Sequence, residues 1–151
     1  MAAMLLALHS IVRWAVVLFA LLLLSRAVNG VRTRRDWAPA DHRFGLGFII
    51  SFDLQFLIGL ALFHFSTLTP DSLEGFKGAM HVPALRFFAV EHTAGMVLAL
   101  AAAHISWAKG KRAADAARRF RTVAIGTGLS LLLVVLSIPW PWMAVGRRLW
   151  P

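Results

Sequence analysis

Apolar residues fall in four long runs separated by shorter polar stretches. The first covers about residues 4–24 and is interrupted only by His9, Ser10 and Arg13. The second, about 44–65, carries Asp53 and Gln55 near its middle and His64 at its end. The third, about 84–107, contains Arg86-Phe87-Phe88-Ala89-Val90-Glu91-His92, and the fourth, about 123–145, contains Ser137-Ile138-Pro139-Trp140-Pro141-Trp142. Each run reaches the roughly 20 residues that a helix needs to cross a bilayer. The pattern predicts an all-α fold: one membrane domain, 1–151, built as an up-down-up-down four-helix bundle. Gly45, Gly47, Gly59, Gly95, Gly126 and Gly128 are candidate points of close helix contact.

The connections separate by charge. Residues 25–43 hold Arg26, Arg32, Arg34, Arg35 and Arg43 against Asp36 and Asp41, with Gly30 and Pro39 as expected helix breakers. Residues 66–83 are nearly balanced, with Asp71, Glu74 and Lys77 among Pro70, Gly75, Gly78 and Pro83, and a short interfacial helix is expected over 73–80. The third connection carries Lys109, Lys111, Arg112, Asp115, Arg118, Arg119 and Arg121. Basic loops stay in the cytoplasm, so loops one and three are expected inside and both termini on the outer face. Arg147 and Arg148 in the tail weakly oppose this. A cleaved leader fits the first run poorly, because no Lys or Arg precedes it.

Composition narrows the chemistry. The chain is 59% hydrophobic, above the usual 45–50% of soluble domains, and its mean hydropathy is +0.70. The formal net charge of +9 would suit nucleic acid. Its placement between apolar runs fits membrane topology instead, so no nucleic-acid partner is expected, while anionic lipid head groups are a modest one. With no cysteine, there is no disulfide or thiolate site, and a metal or cofactor must be held by His, Met, carboxylate or main chain. Six Trp and no Tyr leave Trp alone to supply an interfacial belt.

Ionisable groups inside a bilayer are functional candidates by default. His9 lies about five residues into the first run and His92 about eight into the third. If both helices start at the outer face, each imidazole is roughly 8–12 Å below that boundary. Equal depth on co-directional helices is what bis-histidine ligation of one haem b requires. His9 and His92 are therefore the expected metal ligands, with His64 in reserve. Arg13, one turn deeper than His9, and Arg86, nearer the outer face, are candidate partners of haem propionates.

Each of these residues also has a plainer role. Intramembrane histidines often only join helices by hydrogen bonds. Arg13 with Glu91, or Arg86 with Glu91, can be a structural ion pair. Trp14 and Trp140 are candidate cofactor contacts beside their reading as belt residues. Asp53 is either a proton-relay residue or the partner of a charge such as Arg13, and it diverges from Gln55. A second haem would need a mate for His104, and only His42 is available. Pro139 and Pro141 break the fourth helix, freeing carbonyls such as those of Leu136 and Ser137 that must find other donors. Polar, irregular structure thus gathers in the outer half, where a quinone head group or an external electron partner could approach.

The motifs L-H-S-x-x-R-W, R-F-F-A-V-E-H and S-I-P-W-P resemble a family of small bacterial four-helix membrane proteins described as cytochrome b-like. The resemblance covers nearly the whole chain. It implies His9 and His92 as haem ligands in a multi-pass protein of the bacterial inner membrane, while Arg13, Arg86, Glu91 and Ser137 to Pro141 match motif positions of no known role. In size and span number the chain is also similar to the small haem-containing protoporphyrinogen oxidases, but it departs from their later lysine and arginine pattern. Three function classes follow as expectations. They are a one-haem electron carrier with quinol as candidate donor, a non-catalytic subunit of a larger respiratory or photosynthetic complex or homo-oligomer, and a haem-dependent oxidase of a porphyrin-like substrate.

Overall fold

A computed structural model describes residues 2–65 and 74–147 in full, and the backbone of Leu73. Pro70, Asp71 and Arg148 lie outside the described residues. The elements are α1 (Ala2–Thr33), α2 (Pro39–Phe65), α3 (Leu73–Ala79), a single helical turn α4 (Pro83–Arg86), a π-helical turn (Phe87–Glu91), α5 (His92–Lys111) and α6 (Ala116–Ser137). No strand occurs among the described residues. Four helical segments are long and apolar enough to cross a membrane, with Pro83–Lys111 counting as one. These mark a multi-pass membrane protein.

Several boundaries differ from the sequence expectation. Gly30 does not break α1: the helix runs on to Thr33, and Gly30 instead admits the Phe120 ring, whose atoms would lie 2.6 Å from any β-carbon there. Pro39 opens α2 rather than interrupting it, because the first helical position needs no N–H. The reversal between α1 and α2 is made at Arg34, which takes φ 53°, the left-handed conformation that ends many helices. At the other extreme, α6 stops at Ser137 rather than near 145. Pro139 and Pro141 cannot donate the N–H groups that the next turn requires.

The core runs along the bundle axis through Val16, Ala20, Leu23, Phe48, Phe52, Ala99, Trp107, Phe120, Val123 and Val134. Helix α1 packs on α2 and α6, α5 packs mainly on α6, and the α2–α5 seam is the lightest of these. Small residues make the tight joints: a β-carbon on Gly45 would strike Trp107, and one on Gly126 would strike Ser106. Large apolar side chains such as Ile50, Leu57, Leu98 and Ile125 point outward, as lipid-facing residues do.

Candidate functional site

Two ends of the bundle carry polar structure. At one end His9 of α1 and His92 of α5 face each other, with ring centroids 6.3 Å apart and ring planes at 65°. The expected partners of His92 follow from the broken end of α6. In a continuous helix the Ser137 carbonyl would accept from the N–H of residue 141, which is a proline. The carbonyl accepts instead from His92 Nδ1, at 2.8 Å. The Val135 carbonyl, orphaned in the same way by Pro139, accepts from Trp140 Nε1 at 2.9 Å. The two prolines therefore convert the end of α6 into a carbonyl that fixes one imidazole. With Nδ1 carrying the proton to Ser137, Nε2 of His92 is the nitrogen with a free lone pair. Gly95 permits this seat, since any β-carbon there would collide with the Ser137 hydroxyl.

His9 is positioned from α2. Gln55 Nε2 donates to the His9 carbonyl at 3.0 Å, and Gly59, one turn on, leaves room for the imidazole edge, whose Cε1 would lie 3.3 Å from a β-carbon there. His9 Nδ1 and Gln55 Oε1 are both buried without a hydrogen-bond partner.

A π turn precedes His92. The His92 N–H reaches back to the Phe87 carbonyl, and the Thr93 hydroxyl takes the Phe88 carbonyl at 2.9 Å. On a regular α-helix residues five apart diverge by about 140°. The wider turn brings Arg86 and Glu91 to one face, where Nε and Oε1 pair at 2.8 Å. Insertions of this kind recur at functional sites. Arg86, Glu91, Ser137, Phe87, Leu136 and Met143 border a cavity of about 400 Å³, which His92 itself does not line.

The other sequence candidates distribute as follows. Glu91 is taken by Arg86 rather than Arg13, whose guanidinium carbon lies 5.5 Å from the Trp14 ring centroid. Trp140 stacks on Trp142 at 5.0 Å. His64 is exposed at the end of α2 and lies against Phe65, and no described contact joins it to His9 or His92. Asp53 pairs with His104 Nε2 at 2.7 Å rather than with Arg13, and His42 lies against Trp107, so His42 and His104 form no second pair. Asp53 and Gln55 do diverge, one to α5 and one to α1. Among the described residues no group of three or more His, Asp or Glu is placed to hold a bare metal ion.

Sequence reading missed Gln55 as the residue that holds α2 to His9, and the π turn that aligns Arg86 with Glu91. The first had a signal: an amide in mid-bilayer demands a polar partner. The second had none. No family model, curated protein or solved structure matches the chain.

Proposed function

We propose that this chain is a membrane-bound b-type cytochrome that holds one haem between His9 and His92. The observation that carries the reading is their spacing. A metal bound to two imidazoles, with metal–nitrogen bonds of about 2 Å, needs ring centroids roughly 6 Å apart; these are 6.3 Å apart. Their 65° twist is no obstacle, because two imidazole planes need not be parallel for both rings to offer a lone pair. His9 and His92 would hold the iron, and the porphyrin would bring the other donors, so two imidazoles would suffice where a bare ion would need more. Haem brings the one-electron redox chemistry, and the protein sets ligation, orientation and charge.

The residues act as follows. The Ser137 carbonyl holds the Nδ1 proton of His92 and so leaves Nε2 as the nitrogen open to a metal. Gln55 orients His9. The π turn places the Arg86–Glu91 pair on the outer side of His92, where Arg86 is the candidate propionate partner. Trp14 stays with Arg13, and Trp140 closes the end of α6. The cavity that Arg86 and Glu91 border is the candidate place for a quinol head group. In this reading the helices run up-down-up-down. The basic ends of α1 and α5 face the cytoplasm, and both termini lie on the outer side of a bacterial inner membrane.

The deciding experiment is an absorption spectrum of the purified protein. Soret and α bands that shift on dithionite reduction are expected, and a protein without visible absorbance after expression with added haem precursor would overturn the reading. A second prediction concerns potential. Arg86→Leu is expected to lower the haem midpoint potential, because removing a cation and unmasking the Glu91 carboxylate both disfavour the reduced state. The double variant Arg86→Leu/Glu91→Gln is expected to recover most of the loss. A potential that stays put or rises in the single variant, followed by redox titration, counts against this pair lying near the iron.

One observation favours a second reading, an accessory subunit of a larger complex or homo-oligomer. Asp53 and His104 are 45% and 47% exposed although both sit within membrane-crossing helices. Polar groups at that depth normally face protein. A colourless protein that co-purifies with a larger membrane assembly would select this reading.

A further inference from the structure

The opposite end of the bundle is built around an arginine cluster that the haem reading does not use. Asp41 is fully buried. Its carboxylate accepts from Arg26 Nε at 2.6 Å, from Arg35 Nη1 and Nη2 at 2.6 and 2.8 Å, and from the Ala38 N–H at 2.8 Å. Four donors saturate a carboxylate. The hydrogen bond to Asp41 also raises the Arg35 guanidinium further above its ordinary range. No lone pair of Asp41 is left to accept from a third cation.

A third cation is present. Four planes stack in sequence here: Arg35 over Phe120 at 4.7 Å, Phe120 against Trp37 at 4.8 Å, and Arg119 over Trp37 at 4.2 Å. The Arg119 guanidinium feels the charge of Asp41 but makes no salt bridge with it, and its Nε is buried without an acceptor. Trp37 Nε1, in the same stack, is buried and unmatched as well. Desolvated donors left without acceptors are costly. Arg119 also lies in the first turn of α6, where the helix dipole is positive and disfavours a cation. The aromatic stack fixes the guanidinium there nonetheless; Asp41 is saturated and Asp115 is spent on the Arg118 N–H at the helix start, so the site has a positive charge and buried donors that neither carboxylate accepts from.

We propose that Arg119 and Trp37 form a phosphate-binding site, filled by the head group of an anionic phospholipid. Phosphate matches a planar guanidinium through paired N–H···O bonds, and its charge offsets that of Arg119. The lipid source follows from position. Arg119 opens a membrane-crossing helix, and the apolar outer faces of that bundle accept acyl chains.

The test uses the full chain in dodecyl maltoside micelles, with retained lipid counted by native mass spectrometry and stability followed by tryptophan fluorescence. Phosphatidylglycerol is expected to be retained over phosphatidylcholine and to raise the unfolding midpoint more. Arg119→Gln is expected to weaken phosphatidylglycerol retention about tenfold, the size of one lost charge-assisted contact. Arg112→Gln, an exposed cation at the same end, should leave it unchanged. Trp37→Phe keeps the stack but loses the N–H, and serves if Arg119→Gln does not fold. Millimolar inorganic phosphate giving the full midpoint shift, lost in Arg119→Gln, would uphold the site with free phosphate as its ligand. Equal retention of the two lipids, or phosphatidylglycerol retention indifferent to Arg119 and Trp37, overturns it. None of these readouts depends on haem.

Discussion

His92→Ala is expected to give a folded protein without haem absorbance, and His9→Ala the same, while His104→Ala stays coloured. The contrast follows from how each ring is held. His92 Nδ1 is committed to the Ser137 carbonyl, which leaves its other nitrogen as a ligand, and the His9 ring sits across from it. His104 spends Nε2 on Asp53 and lies in no described ring contact with another histidine. With one of the two imidazoles removed, a haem in a detergent-solubilised bundle would keep only half of its protein ligation. Haem content is expected to fall at least about tenfold, equivalent to the loss of a single interaction of about 1.4 kcal/mol, a low bound for a metal–ligand bond. Pyridine haemochrome per mole of protein measures it, and far-UV circular dichroism separates loss of haem from loss of fold. Free imidazole should partly restore the Soret band in His9→Gly, because the ligand can re-enter the space it left. Equal colour in all three variants would leave the two imidazoles as an ordinary helix–helix contact. Because the reading also makes Ser137 act through its main-chain carbonyl, Ser137→Ala should change little, and Pro141→Ala should shift the haem spectrum by returning an N–H that competes for that carbonyl.

The four spans were legible because the bilayer imposes one length and one polarity on every crossing helix. Charge in the loops was legible too, but the extent of helix through those loops was not. Residues 25–33 read as a polar break at Gly30, yet Gly30 is helical because Phe120, distant in sequence, needs the space beside it. Local propensity cannot register such a demand. That His9 and His92 come to one level of the bundle could be counted along the chain. Their mutual orientation could not, since it depends on the Ser137 carbonyl, freed by Pro141, and on a π turn without sequence signature. The pairings of Glu91 and Asp53 were open in sequence for a similar reason. Glu91 reaches Arg86 only through the widened turn, and Asp53 reaches His104 across a seam that spacing along one helix does not specify. The Arg119–Trp37–Phe120–Arg35 stack joins two loops that looked merely basic.

Asp41→Ala is expected to be the most destabilising single change at the basic end. The carboxylate is 1% exposed and ties Arg26 of α1 and Arg35 of the connecting turn to the start of α2. It also accepts from the Ala38 N–H, which caps that helix start. Removing one partner of a buried ion pair costs about 3–5 kcal/mol when the other cannot escape. Here the arginine side chains are 33% and 28% exposed and recover some hydration, so about 2–4 kcal/mol is the expected loss. Part of it comes from the turn itself. Arg34 holds a left-handed conformation that costs of order 1 kcal/mol for a non-glycine residue, and the Arg35 clamp is what holds the chain in it. Arg34→Gly should therefore be tolerated, and should recover part of the stability lost in Asp41→Ala when the two are combined. Asp36→Ala, at an exposed neighbour, is the matched control and should move the midpoint little. Thermal unfolding in detergent measures all four variants. An Asp41→Ala midpoint equal to that of Asp36→Ala would mean that the arginines find equivalent partners elsewhere, and that the helical hairpin is held by its apolar contacts alone.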